Sequence, residues 1–80
     1  MIAELERVVL VEALPEYHLE AGDIGTVVLV HDNSAGYEVE FIALDGETVA
    51  VTTVLASQVR PAMQKEIPHA RMLEPTQPSS

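Results

Sequence analysis

Apolar residues in this chain come in short, β-branched runs broken by turn residues, and none extends far enough to lay an apolar stripe along a helix. That pattern predicts an all-β fold. A first strand is expected over about Arg7 to Val11, followed by a loop of about a dozen residues holding Pro15, Tyr17, His18 and Gly22. A second is expected over about Thr26 to His31, with a turn at Asp32-Asn33-Ser34-Ala35-Gly36. Tyr37, Val39 and Phe41 then alternate with Glu38 and Glu40 in the period of two of a half-buried strand, with the apolar set facing the core. Asp45-Gly46 predicts a two-residue hairpin with positive φ at both positions, leading to a strand over about Glu47 to Val54. Ala56-Ser57-Gln58 reads as one tight turn before a short last strand, Val59-Arg60, stopped by Pro61.

Five short strands with a long first loop and tight later connections describe a small, strongly bent SH3-like barrel. Val8-Val9-Leu10-Val11 and Val27-Val28-Leu29-Val30 are identical tetrapeptides whose flanks do not match, so they read as two buried strands rather than a repeat. Left exposed they would invite aggregation, and barrel closure is expected to hide them.

With 80 residues there is material for one modest core. A chain of this size buries only about 60% of the surface it exposes when unfolded, which leaves little for a deep catalytic cavity. Thirteen acids face four cations, for a formal charge of −9. Phosphate binding needs clustered Lys and Arg, so this balance argues against nucleic acid. The absence of cysteine removes disulfides, thiolate chemistry and zinc-thiolate sites together, and is compatible with a reducing cytoplasm. The acidic start and the short apolar runs predict neither a secretory signal nor a membrane helix.

All the net charge falls within residues 1–61, which hold eleven acids and two cations, whereas 62–80 is neutral and carries Pro68, Pro75 and Pro78. The expected organisation is therefore a barrel domain over 1–61 and a Pro-rich, flexible or disordered tail over 62–80. Ile67, Met72 and Leu73 are the tail residues that would serve a docking peptide, if it is one.

The blocks Glu4-Leu5-Glu6-Arg7-Val8-Val9-Leu10, Leu14-Pro15-Glu16, Ala21-Gly22-Asp23-Ile24-Gly25-Thr26-Val27-Val28, Tyr37-Glu38-Val39-Glu40-Phe41 and Ala56-Ser57-Gln58-Val59-Arg60-Pro61 follow in order. In them the chain resembles a family of short, stand-alone bacterial domains of unknown function with an SH3-like barrel. The likeness covers about Met1 to Pro61 and implies a fold and a bacterial origin, with no activity attached. The Gly-Asp-x-Gly-x-Val element is also similar to one in the nitrile hydratase β-subunit and in KOW-type domains. Read physically, Gly22 and Gly25 permit positive φ or close approach, Asp23 can bond local backbone, and Ile24 would plug the barrel end.

Candidate chemistry is thin. Proline-rich peptide recognition needs an aromatic groove, and only Tyr17 is left for it once Tyr37 and Phe41 are assigned to the core. Glu16, His18 and Glu20 would share one side of an extended segment and could hold a metal; a solvated acidic loop is the alternative, and no metal or other cofactor is expected. His31-Asp32 could act as an acid/base couple, but no nucleophile or phosphate loop accompanies it, so no enzyme is expected. The acids carry more information. Glu12, Glu16, Glu20 and Asp23 lie in or beside the long loop, and Glu38 and Glu40 point outward from the third strand. Small domains often carry net charge for solubility alone. The sharper reading is a non-enzymatic interaction module whose acidic surface steers a basic protein, such as the product of a neighbouring gene, and buries Tyr17 and Leu19 on contact. Rival readings are an accessory subunit or activator of a larger enzyme, a KOW-like nucleic-acid or ribosome contact through Arg7, Arg60, Lys65 and Arg71, and a homodimer through the edge of the first or last strand.

Overall fold

The computed structural model describes residues 2–31 and 35–73. Five strands form one antiparallel sheet: β1 (Arg7–Leu10), β2 (Ile24–Val30), β3 (Gly36–Ile42), β4 (Thr48–Leu55) and β5 (Val59–Pro61), in the order β4-β3-β2-β1-β5. The long loop between β1 and β2 holds a 3-10 turn at Pro15–Tyr17, and a second such turn at Ala56–Gln58 joins β4 to β5. The all-β expectation and its order of elements hold. The sheet is open, however: β4 and β5 are its two edges and do not pair with each other. The first strand, taken as a possible edge, is interior, bonded to β2 on one side and β5 on the other.

Pairing register assigns the two faces. Val27 stands opposite Val39 and Val39 opposite Thr52, while Val30, Tyr37 and Val54 form the next row. These rows face inward, where Val8, Leu10, Val27, Val39 and Val54 are almost fully buried. Tyr37 and Phe41 join the same core, as their alternation with Glu38 and Glu40 demands. Burying this many branched side chains in a domain so small is its main stabilisation, at about 1.5–3 kcal/mol for each fully buried side chain. Ile2 also enters the core. The backbone before β1 places it there, with the Leu5 N–H donating to the Val27 carbonyl and Leu5 itself at φ +72°.

Three local expectations are corrected. Val28 and Leu29 are 40% and 46% exposed, so the second apolar run is not a fully buried strand. A register shift between Val27 and Leu29 inserts one residue and turns Leu29 outward, opposite Glu38. Ile24 is absent from the core; it pairs with Val9 on the outer side instead of plugging the barrel end. The third concerns the β3–β4 hairpin, which closes with Ala43 N–H on the Glu47 carbonyl and Gly46 N–H on the Ala43 carbonyl. Only Gly46 has positive φ, so this is a three-residue loop over Leu44, Asp45 and Gly46 rather than the two-residue form, with the Asp45 carboxylate accepting the Glu47 N–H.

Beyond Pro61 the chain runs without helix or strand as far as residue 73. This strap crosses the outer side of β1 and β2. Val9 points away from the core cluster, yet it is only 7% exposed, and it lines one crevice with Met63, Ile67 and Pro68 of the strap. Residues 74–80, the remainder of the expected tail, lie outside the described residues.

Candidate functional site

β3 is central to the β2–β3–β4 half of the sheet, and its alternation puts Glu38 and Glu40 on the outer face. Register then sets their neighbours. Glu38 lies between Leu29 and Thr53, and Glu40 between Thr26 and Val51. Leu29 and Val51 are 46% and 54% exposed, so two carboxylates are flanked by open aliphatic surface on either side. Thr53 Oγ1 donates to the Glu38 carboxylate, His31 Nε2 lies 3.0 Å from it, and Thr48 Oγ1 donates to Glu40 at 2.8 Å. The Thr53 hydrogen bond, followed by that of His31, holds the Glu38 carboxyl below its ordinary range, so it stays ionised. Among the described residues neither glutamate pairs with Lys or Arg.

The long-loop residues are dispersed by comparison. Leu14 bridges to Leu19 across the Pro15–Tyr17 turn, and His18 closes that turn in the left-handed conformation at φ +59°. That hairpin-like closure sends Leu19 into the core at 4% exposure, which corrects its expected place as a contact residue: it has no surface left to bury against a partner. Glu16 and Tyr17 remain exposed, and Glu12 accepts a hydrogen bond from Gln58 Nε2 at 3.0 Å. The same closure breaks the extended spacing on which Glu16, His18 and Glu20 could have shared a side. No group of three His, Asp or Glu able to hold a metal occurs among the described residues. Of the His31-Asp32 couple, Asp32 lies outside the described residues, and His31 is engaged with Glu38 instead.

Asp23 and Glu20 are already taken. The Arg71 guanidinium meets Asp23 with Nε to Oδ1 at 2.9 Å and Nη2 to Oδ2 at 2.5 Å, donates to the His18 carbonyl at 3.0 Å, and comes within 3.7 Å of Glu20. Burial works to raise the Asp23 carboxyl. The Arg71 hydrogen bond, the Glu20 N–H and the Arg71 charge outweigh it and hold the group below its ordinary range. A second tie joins Arg60 to Glu66 through two hydrogen bonds of 2.9 and 2.6 Å. Two of the four cations considered for a nucleic-acid contact, Arg60 and Arg71, are thus engaged with carboxylates of the chain itself.

Between the strap and the β3–β4 hairpin lies an open groove of about 690 Å³, with Ile24, Phe41, Ile42 and Val49 on one side and Met72 and Leu73 on the other. Reading the sequence missed this groove and the exposed Leu29 and Val51. Val51 was within reach, since the parity that turns Glu40 outward carries across the hairpin to its partner. Leu29 was not, because its orientation depends on the irregularity in β2. Among the described residues no helix is long and apolar enough to cross a membrane.

The family described as a domain of unknown function (DUF4926) matches residues 4–61, and the chain belongs to it. The match ends where β5 ends, so the strap lies beyond it. No curated protein and no solved structure matches the chain.

Proposed function

We propose that this member of the family is a non-enzymatic interaction module that binds a basic protein on the outer face of β2, β3 and β4. The observation that carries the reading is the row of Glu38 and Glu40, unpaired with Lys or Arg among the described residues and bordered by exposed Leu29 and Val51. A protein surface offering Lys or Arg beside small apolar side chains complements it in both charge and chemistry. The formal charge of −9 would speed encounter by long-range attraction, and desolvation of Leu29 and Val51 would slow release. Glu12, Glu16 and Tyr17 stay exposed on the long loop, while Glu20 and Asp23 are paired with Arg71. The setting belonging to this reading is an SH3-like barrel in a bacterial cytoplasm, acting on the product of a neighbouring gene. Its support is the sequence resemblance and the cysteine-free composition.

The test is affinity capture with the wild-type chain and with the Glu38→Gln/Glu40→Gln double variant, at low and then moderate ionic strength. A basic protein retained by the wild type at low salt and lost by the variant is the expected result. Equal retention by both, or no basic protein retained at low salt, would overturn the proposal.

A further inference from the structure

Backbone pairing leaves the sheet with two edges that differ sharply. β5 is three residues long, carries Arg60, ends in Pro61 and runs directly into the strap, with Arg60 held by Glu66. Shortness, charge and proline are the devices by which native sheets close an edge to further strands. β4 has none of these three, and its one irregularity, the extra residue Val49, lies at its start, before Val51 to Leu55. It spans eight residues, Thr-Val-Ala-Val-Thr-Thr-Val-Leu, without charge, proline or glycine, and it pairs only with β3. Among the described residues its free side meets no other strand, and Val51 and Leu55 are 54% and 60% exposed.

We propose that the β4 edge receives an extended segment of the basic partner as a sixth strand, hydrogen-bonded along its backbone. This deepens the reading above and rests on it. Side chains of an added strand alternate as those of β4 do: one set would lie beside Val51, Thr53 and Leu55 on the outer face, the other beside Ala50, Thr52 and Val54 at the core margin. Neighbouring strands are about 4.8 Å apart, so an outer-face residue of the new strand sits roughly 10 Å from Glu38 and Glu40 across β4. Lys or Arg reaching inward and Glu reaching outward span that distance over Val51 and Thr53. The matching segment therefore alternates basic with small aliphatic residues. Charge selects this occupant over a second copy of the chain, because pairing β4 with β4 would bring two such glutamate rows to the same interface in molecules that each carry −9.

The probe is a capped ten-residue peptide alternating Lys and Val, compared with a copy N-methylated throughout, which keeps the charge but cannot pair as a strand. Binding to the full chain is followed by titration at low salt. The unmethylated peptide is expected to bind at least about tenfold more tightly, the loss of one or more net main-chain hydrogen bonds. Val51→Lys, on an exposed outward position, is expected to abolish that preference. Equal binding of both peptides, with Glu38→Gln/Glu40→Gln abolishing it, would overturn strand addition and leave the acidic-face reading standing. Binding of neither would overturn both. A chain that sediments alone as a dimer, made monomeric by Val51→Lys, would give the edge to a second copy and overturn the proposal.

Discussion

Gly22 and Gly25 sit three positions apart in one short element, yet glycine is needed at each for a different reason. Gly22 has φ +97° and open space where a side chain would go, so only its backbone conformation demands glycine. Gly25 has an ordinary backbone, but a Cβ there would stand 2.8 Å from Phe41 Cε1 and 3.0 Å from the Glu40 carbonyl, and closer still to Val39. It marks where the Val39 and Phe41 side chains of the neighbouring strand β3 lean across the inner side of β2. Val39 is fully buried in the core, and the Glu40 carbonyl is backbone that cannot turn aside as a side chain can. Gly25→Ala is therefore expected to destabilise the domain by about 1–3 kcal/mol, the usual range for overfilling a packed core. The urea midpoint of unfolding measures it, and an unchanged midpoint would show that β3 can move aside at little cost. Positive φ or close approach was legible in the sequence for both glycines. The left-handed conformations of Leu5 and His18 were not, because nothing in a leucine or a histidine announces them; they follow from backbone bonds to Val27 and Pro15.

At the scale of elements, strands and turns were legible because alternation and turn residues are local signals. Tyr37, Val39 and Phe41 needed only their own parity to be placed in the core. The strap was not legible, since its attachment depends on ion pairs rather than on periodicity: Arg71 to Asp23, far away in the sequence, and Arg60 to Glu66, close by. Ile67 and Met72 are 89% and 87% exposed, so burial of its large side chains contributes little to holding it. The ties should make the strap acid-labile. Arg60, with help from the Met63 N–H, lowers the Glu66 carboxyl from 4.5 to about 2, and Asp23 is lowered too. A carboxyl whose pKa is lower when docked contributes its stabilisation above its free pKa and loses it as pH falls through the docked value. Docking should therefore persist at pH 5 to 7 and fail progressively between 4.5 and about 2. Val9 methyl signals report it directly, because Val9 is the side chain that the strap covers. Asp23→Asn should give a shifted, undocked-like signal already at pH 7. Val9 signals indifferent both to that change and to acid would show that the ion pairs do not hold the strap.

For the whole molecule, composition already showed a large acid excess, but only the fold shows how unevenly it is met. The strap returns Arg71 to the long loop, so Asp23 and Glu20 have a cation beside them, while among the described residues Glu38 and Glu40 on the far half of the sheet are met by His31 and threonine hydroxyls and by no Lys or Arg. The place of the acidic face was thus half legible: strand parity gave Glu38 and Glu40, but no local rule could show that Arg71 would reach back to the loop. The uneven distribution has a consequence for stability. Like charges crowded on one small domain repel in the compact state and separate on unfolding, so their mutual repulsion opposes folding. Added salt shortens the reach of that repulsion from about 30 Å at 0.01 M to roughly 3 Å at 1 M. It also weakens the two strap ties, but those are short-range, hydrogen-bonded contacts on a segment that supplies none of the core. Relief of repulsion should dominate, and the melting temperature should rise with sodium chloride. A gain of about 1 kcal/mol corresponds to roughly 4–8 °C in a domain of this size. Glu38→Gln/Glu40→Gln removes two of the unmatched charges, so that variant should start from a higher melting temperature and gain less from salt. A melting temperature that falls with salt would mean that the ion pairs outweigh the acidic face in the stability of the molecule.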